Sequence, residues 1–301
     1  MLLHSIGTQL KTMLVRKEFR FAFFILLIFS CYAFLFALSD VRDLERVFGV
    51  EDLSVMFDAN QVVCFAVYSR LWNGFAMAYP FLLVLPFATS YVDDYKSQLL
   101  PAYLSRCSRS HYYISKVVVC FIGTAIVFAI PFLINLILCN AFCPHNNHTV
   151  YGEYLQGDYY RTLLGTNLLY QVDYPEIPFL RVYLYSPFVY NLLCIMLFSA
   201  FSGLLAAAVM SISFLLRKSR LLLFVPIFAV NKLLQTYDIR ALNSAVESGG
   251  KYTNYDLMDY LLPTLFHGQD PRFLAVVLAV LAAVIISFTL YGIKHDMASL
   301  Q

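Results

Sequence analysis

Blocks of about 20 apolar residues, each separated from the next by a polar segment, are the feature that most constrains this chain. A helix of that length spans the ~30 Å hydrocarbon core of a bilayer, where every backbone polar group must be bonded within its own segment. Only 13% of the 301 residues are charged, against about 25% in soluble domains. The sequence therefore predicts an all-α membrane protein with a single transmembrane domain over residues 1–301.

Six transmembrane spans are predicted from these blocks. The fourth block is longer than one crossing needs, and the fifth is short and interrupted by Pro226. Only Arg217–Arg220 separate these two blocks, which predicts a tight turn at one membrane face. The predicted spans are Phe21–Ser39, Trp72–Tyr91, Val117–Cys139, a crossing within Pro187–Leu216, Leu221–Leu234 and Phe273–Ile293.

The distribution of lysine and arginine predicts the orientation, because short inner segments carry an excess of these residues. With the N-terminus inside, the inner segments are residues 1–20, 92–116, 217–220 and 294–301, and they hold twelve of the 21 basic residues. Fifteen of the 19 acids fall on the outer segments, 40–71, 140–186 and 235–272. We therefore expect a multi-pass protein of the plasma membrane with both termini in the cytoplasm.

The first twenty residues carry a second, shorter apolar pattern. Leu3, Ile6, Leu10 and Leu14 recur near a period of 3.6 residues, with basic residues around them. This pattern is typical of an amphipathic helix that lies in the membrane interface. A basic tail that only sets the orientation remains the alternative.

Motifs for catalysis and nucleotide binding are absent from the sequence. It contains no HExxH, no GxSxG and no Walker A sequence, so any ATP hydrolysis must come from another chain. Cys139 and Cys143 have no partner pair at the spacing of a zinc site, so no metal is predicted, and a disulfide between them stays open. Lys232 and Asn231 are the polar residues within a span that could mark a pathway, and no span centre holds a carboxylate.

The polar segment between spans 2 and 3 has a pattern of its own. Tyr95, Leu99, Tyr103 and Leu104 recur at i, i+4, i+8 and i+9, which would form one apolar stripe on a helix. Pro101 interrupts this pattern, because proline fits a helix best in the first turn. The segment is therefore either a short helix kinked near Pro101 or two turns that meet there, and its stripe must pack on lipid or on a partner protein.

The same segment, DDYKSQLLPAYLSRCSRSHYYISK, resembles the first cytoplasmic loop of type-2 ABC transporter permeases. In that pattern an acidic residue ends span 2, a short apolar helix follows, and a basic motif leads into span 3. Lys96-Ser97 stand where many of these loops carry glycine. The matching residues are Asp94, Leu104, Ser105, Arg106, Ser108, Arg109, Tyr112 or Tyr113, and Lys116.

The resemblance implies a permease that works as a dimer or beside a homologous permease, with two separate ATPase subunits below it. ATP and Mg²⁺ would bind to those subunits, and no cofactor, nucleic acid or catalytic residue is expected on this chain. The cargo would be apolar or amphipathic, such as a peptide, lipid or drug. The residues expected to couple the chain to the ATPase are Tyr95, Leu99, Leu100, Tyr103, Leu104, Arg106 and Arg109. Those expected to line the pathway are Phe75, Tyr79, Phe81, Phe224, Phe228 and Asn231.

Two other functions remain open on the sequence. A membrane-embedded enzyme would have to use Asp93, Asp94 and His111, which are the candidates on the inner side. A non-transporting assembly or sensor subunit would need none of these residues.

Overall fold

Most of the residues that the computed structural model describes are helical, and none of them forms a strand. The described residues are 2–48, 59–61, 63, 70–105, 107–143, 182, 186–216, 219–248, 254–257 and 271–295. Short 3₁₀ turns cover Ala59–Gln61 and Leu221–Leu223. The α-helices in these ranges are α1 (Leu2–Val15), α2 (Lys17–Phe48), α3 (Arg70–Val84), α4 (Ser90–Lys96), α5 (Leu100–Leu104), α6 (Arg109–Phe142), α7 (Pro187–Ser213), α8 (Phe224–Ser248) and α9 (Pro271–His295).

Five of these helices, α2, α6, α7, α8 and α9, are long and apolar enough to cross a membrane. This result confirms the prediction of an all-α membrane protein. It does not confirm a sixth span, because the predicted span Trp72–Tyr91 is divided. Its apolar helical part ends at Val84, a turn covers residues 85–89, and α4 begins at Ser90. Pro86, which has no N–H to continue the helix, lies within that turn.

Contacts between α2, α6 and α7 give the relative directions of these three helices. Ser30 Oγ donates to the carbonyl oxygen of Pro131 at 2.6 Å, and the rings of Phe34 and Phe142 lie 5.8 Å apart, so α2 and α6 run the same way. In α7 the order is reversed, because Gly203 lies against Phe121 while Phe198 lies against Phe132. Helices α6 and α7 are therefore antiparallel, whereas α2 and α6 are parallel.

An aromatic cluster forms the centre of the bundle. Phe198 of α7 contacts Phe128 and Phe132 of α6, both with ring centroids 5.8 Å apart. Phe75 and Tyr79 of α3 pack onto the same rings, at 5.8 Å from Phe132 and 5.6 Å from Phe128. Helix α7 is the most enclosed crossing, with 61% of its apolar stretch buried, whereas α8 and α9 have 6% each. The bundle is therefore organised around α6 and α7, with α8 and α9 at its surface.

Helix α1 packs along α6 through small and polar side chains. The Oγ atoms of Ser5 and Ser115 lie 2.9 Å apart, and Met13 is fully buried at Gly123, where a Cβ would overlap its sulfur. Of the predicted apolar stripe, Leu3 is 84% exposed and Leu14 is also exposed, while Ile6 and Leu10 are half-buried. The predicted stripe is thus divided: Ile6 and Leu10 pack against the core, and Leu3 and Leu14 face outward.

Helix α8 is longer than the predicted fifth span, which ended at Leu234. It continues to Ser248, so the first part of the predicted outer loop 235–272 is helical. Pro226 falls in its first turn, the position where a helix tolerates proline. Beyond the apolar half, the backbone N–H of Tyr255 donates to Asp238 Oδ1 at 2.7 Å, which fixes the returning chain against α8.

Candidate functional site

Charged side chains from separate segments meet at one end of the bundle. Arg16 and Glu18 come from the junction of α1 and α2, Asp93 and Asp94 from α4, Lys116 from α6, and Arg220 from the start of the turn before α8. We call these six residues the charged cluster. Three of the four predicted inner segments contribute to it.

Asp94 and Lys116 form the most buried pair of the charged cluster. Lys116 Nζ lies 2.8 Å from Asp94 Oδ2, and its side chain is only 2% exposed. Tyr112 Oη donates to the same carboxylate oxygen at 2.6 Å, and Lys116 Nζ also donates to Ser90 Oγ at 3.2 Å. Burial of a charge is costly unless it is paired and hydrogen-bonded, and here both partners have that support.

Asp93 binds two arginines from distant parts of the chain. Arg16 Nη2 donates to Asp93 Oδ2, and Arg220 Nε lies 2.5 Å from Asp93 Oδ1. Glu18 joins the same two arginines, at 3.5 Å from Arg16 Nε and 3.6 Å from Arg220 Nη1. Alternating acids and bases therefore tie the entry of α2 to α4 and to the segment that leads into α8.

Aromatic rings enclose the charged cluster on the bundle side. The face of Phe87 lies 4.8 Å from Lys116 Nζ and 5.8 Å from Arg16 Cζ, which adds cation–π attraction. Next to it, Tyr113 and Phe214 pack edge to face at 4.8 Å. Gly292 of α9 approaches this layer so closely that a Cβ there would lie 3.1 Å from the Tyr113 ring. The C-terminal end of α9 thus belongs to the same end of the bundle.

The predicted inner segment 92–116, which we call the polar loop, contains Asp93, Asp94 and Lys116 of the charged cluster. Helix α4 ends at Lys96, and Gln98 has a left-handed backbone with φ of 57°. Helix α5 then begins at Leu100, with Pro101 in its first turn. The loop is therefore two short helices joined by a turn at residues 97–99.

This turn divides the predicted coupling residues into two groups. Tyr95 and Leu99 point outward, 41% and 47% exposed. Leu100 is buried and Leu104 is half-buried against the core. Tyr103, also half-buried, stacks on Tyr112 at 5.8 Å. Burial and the nearby charge of Asp94 raise the pKa of its phenol. Arg109 is half-buried, and Arg106 lies outside the described residues.

The residues predicted to line the pathway are also in two places. Phe75 and Tyr79 are buried in the central aromatic cluster, where Tyr79 Oη lies 2.9 Å from Ser202 Oγ. Phe81 is 48% exposed and packs on Phe224 at 5.4 Å, on the surface between α3 and α8. Phe228 is exposed and Asn231 half-buried. The structure thus brings Phe81 and Phe224 together and places Phe75 and Tyr79 behind them.

Sequence reasoning missed the charged cluster itself. The interpretation of Asp93 and Asp94 was that they end span 2 at the water boundary, whereas both bind cations from other segments. A usable signal was present: only four acids fall on the predicted inner segments, and Glu18, Asp93 and Asp94 are three of them. Acids that oppose the orientation rule point to bound partners.

Comparisons with known proteins do not name this arrangement. No family model, no curated protein and no solved structure matches the chain. Within the described part of the chain, no group of three metal-binding side chains comes together either. His145 and His148, which follow Cys139 and Cys143 in the sequence, lie outside that part.

Proposed function

We propose that this chain is the membrane-spanning subunit of an ATP-driven ABC exporter. The observation that carries the proposal is the exposed face of the polar loop, which the charged cluster holds against the bundle. Tyr95 and Leu99 offer apolar contact area, with exposed Lys96 and Gln98 beside them. Separate ATPase subunits would bind this face from the cytoplasm and hold the ATP and Mg²⁺.

The charged cluster supports the proposal because it joins the loop to the crossings that must move. A displacement of α4 acts on α6 through Asp94 and Lys116, and on the entries of α2 and α8 through Asp93. Removal of one partner from a buried ion pair costs about 3–5 kcal/mol. The loop and these helix ends would therefore move as one body when the ATPase subunits close.

The cargo would move between two copies of the chain, or between this chain and a homologous permease. Exposed Phe81 of α3 packs on half-buried Phe224 of α8, and exposed Phe228 lies further along α8. These residues would line the pathway directly. Phe75 and Tyr79 would support them from the central aromatic cluster.

The contacts of the inner polar residues favour the exporter over a membrane-embedded enzyme. The carboxylates of Asp93 and Asp94 both form ion pairs with basic side chains. The Nδ1 atom of His111 lies 2.6 Å from Ser108 Oγ, across the first turn of α6. A membrane-embedded enzyme would lose its activity in the double variant Asp93→Asn/Asp94→Asn even where the protein stays folded. A sensor subunit would transport no cargo, so vesicles that contain it would show no flux.

The test is purification of the tagged chain from its native membranes, with and without the substitution Leu99→Glu. We expect an ATPase subunit to co-purify with the wild type, and ATP-driven flux to appear in vesicles made from these membranes. Leu99→Glu should abolish both, because a carboxylate would replace an apolar contact, and Leu99→Met is the matched control that should retain both. Absence of an ATPase, together with unchanged flux in Leu99→Glu, refutes the proposal.

A further inference from the structure

One face of α8 and its preceding turn is exposed from end to end. The face starts beside the charged cluster with Leu221, 76% exposed, followed by Val225 at 58% and Phe228 at 43%. The face then becomes polar at Lys232 and Thr236, which are also exposed. An apolar column thus leads to a single positive charge.

Lys232 is the only ionisable residue of the apolar stretch 221–234. Its Nζ donates to Gln235 Oε1 at 3.0 Å, and no carboxylate of the described residues lies within ion-pair distance. By helix rise, Lys232 is about 18 Å from Arg220 and about 9 Å from Asp238. Lys232 is two residues from the end of this apolar stretch, so its ammonium lies at the polar end of the apolar column, where an anionic group could bind it.

We propose that Lys232 binds the anionic head of an amphiphile whose apolar tail lies along Phe228, Val225 and Leu221. The column between Val225 and Lys232 is about 10 Å long, which suits an acyl-chain amphiphile with a carboxylate or similar head. As a statement about cargo, this inference rests on the proposed export function. It narrows the cargo from apolar or amphipathic molecules to anionic amphiphiles.

Photolabelling with a diazirine derivative of palmitate tests the inference on the full chain in phosphatidylcholine nanodiscs. In the wild type, we expect label on α8, displaced by excess palmitate and not by hexadecanol. Lys232→Gln should reduce this labelling about tenfold, the effect of losing one charged hydrogen bond. Lys232→Arg should retain it, and Lys96→Gln on the exposed loop is the matched control.

Equal labelling of Lys232→Gln and the wild type would show that α8 only contacts lipid, which overturns the inference. If hexadecanol displaced the label as well as palmitate does, the site would not recognise an anionic head, which also overturns the inference. A change in the cross-linked dimer fraction of Lys232→Gln, with labelling unchanged, would assign Lys232 to a second copy instead and also overturn it. The assay needs no ATPase, so a Lys232-dependent site without ATP-driven flux would refute the export function and leave the anion site.

Discussion

The substitution Asp94→Asn should strongly destabilise the protein. It would leave the Lys116 ammonium, only 2% exposed, without the carboxylate that lies 2.8 Å from it. At an effective dielectric constant of about 20, that distance corresponds to an attraction of about 6 kcal/mol before desolvation. Breaking one side of a buried pair costs about 3–5 kcal/mol in practice. For a chain of this size we expect the Tm to fall by roughly 6–10 °C.

The assay is thermal denaturation in detergent, in which the monodisperse peak in size-exclusion chromatography measures the folded fraction. It is applied to all members of a double-mutant cycle. Asp94→Asn/Lys116→Met should be less destabilised than the sum of the single variants, because neither charge remains buried alone. Asp43 and Arg46 supply the control cycle, since their pair at 3.2 Å is 68% and 80% exposed and should show coupling of under about 1 kcal/mol. Additive effects at Asp94 and Lys116 would refute the argument.

Three further predictions concern close packing and backbone. Gly123→Ala should loosen α1, by about 1–3 kcal/mol, because its Cβ would overlap Met13; Met13→Ala should restore the Tm, since only a flexible side chain has to yield. Gly203→Ala should cost a similar amount without any side-chain rescue, because its Cβ would lie 2.6 Å from the backbone oxygen of Phe121; failure of Phe121→Ala to restore the Tm checks this. Gln98→Gly should stabilise the loop by about 1 kcal/mol, since φ is 57° there, and slower limited proteolysis of the loop would show it.

Hydropathy located the crossings because burial in lipid depends on local composition. It placed their ends poorly, since helices continue beyond the apolar block: α2 runs to Phe48 and α6 starts at Arg109. It also predicted one continuous span over Trp72–Tyr91, although Pro80 and Pro86 both lie there. Pro80 stays within α3, whereas Pro86 falls in the turn. Composition alone does not distinguish these two prolines. Each leaves a backbone carbonyl without its helical hydrogen bond, and the neighbouring helices determine whether that carbonyl finds another partner.

The four residues of the predicted stripe do not share one face in the structure. The spacing of Tyr95, Leu99, Tyr103 and Leu104 assumes one helix throughout. The left-handed residue at Gln98 ends that periodicity, so Tyr95 and Leu99 face outward while Tyr103 and Leu104 turn toward α6. A glycine at this position would have marked the turn in the sequence, but glutamine gives no such sign.

The charged cluster explains why the polar loop carries acids as well as basic residues. Orientation needs only lysine and arginine on the inner side, and acids contribute little to it. Asp93 and Asp94 are nevertheless there: Asp93 binds Arg16 and Arg220 from two other inner segments, and Asp94 binds Lys116 of α6. Part of the positive charge that predicts the topology is therefore used internally, by Arg16 and Lys116. The polar loop is thus attached to the bundle by paired charges, while the side chains of Tyr95 and Leu99 are exposed.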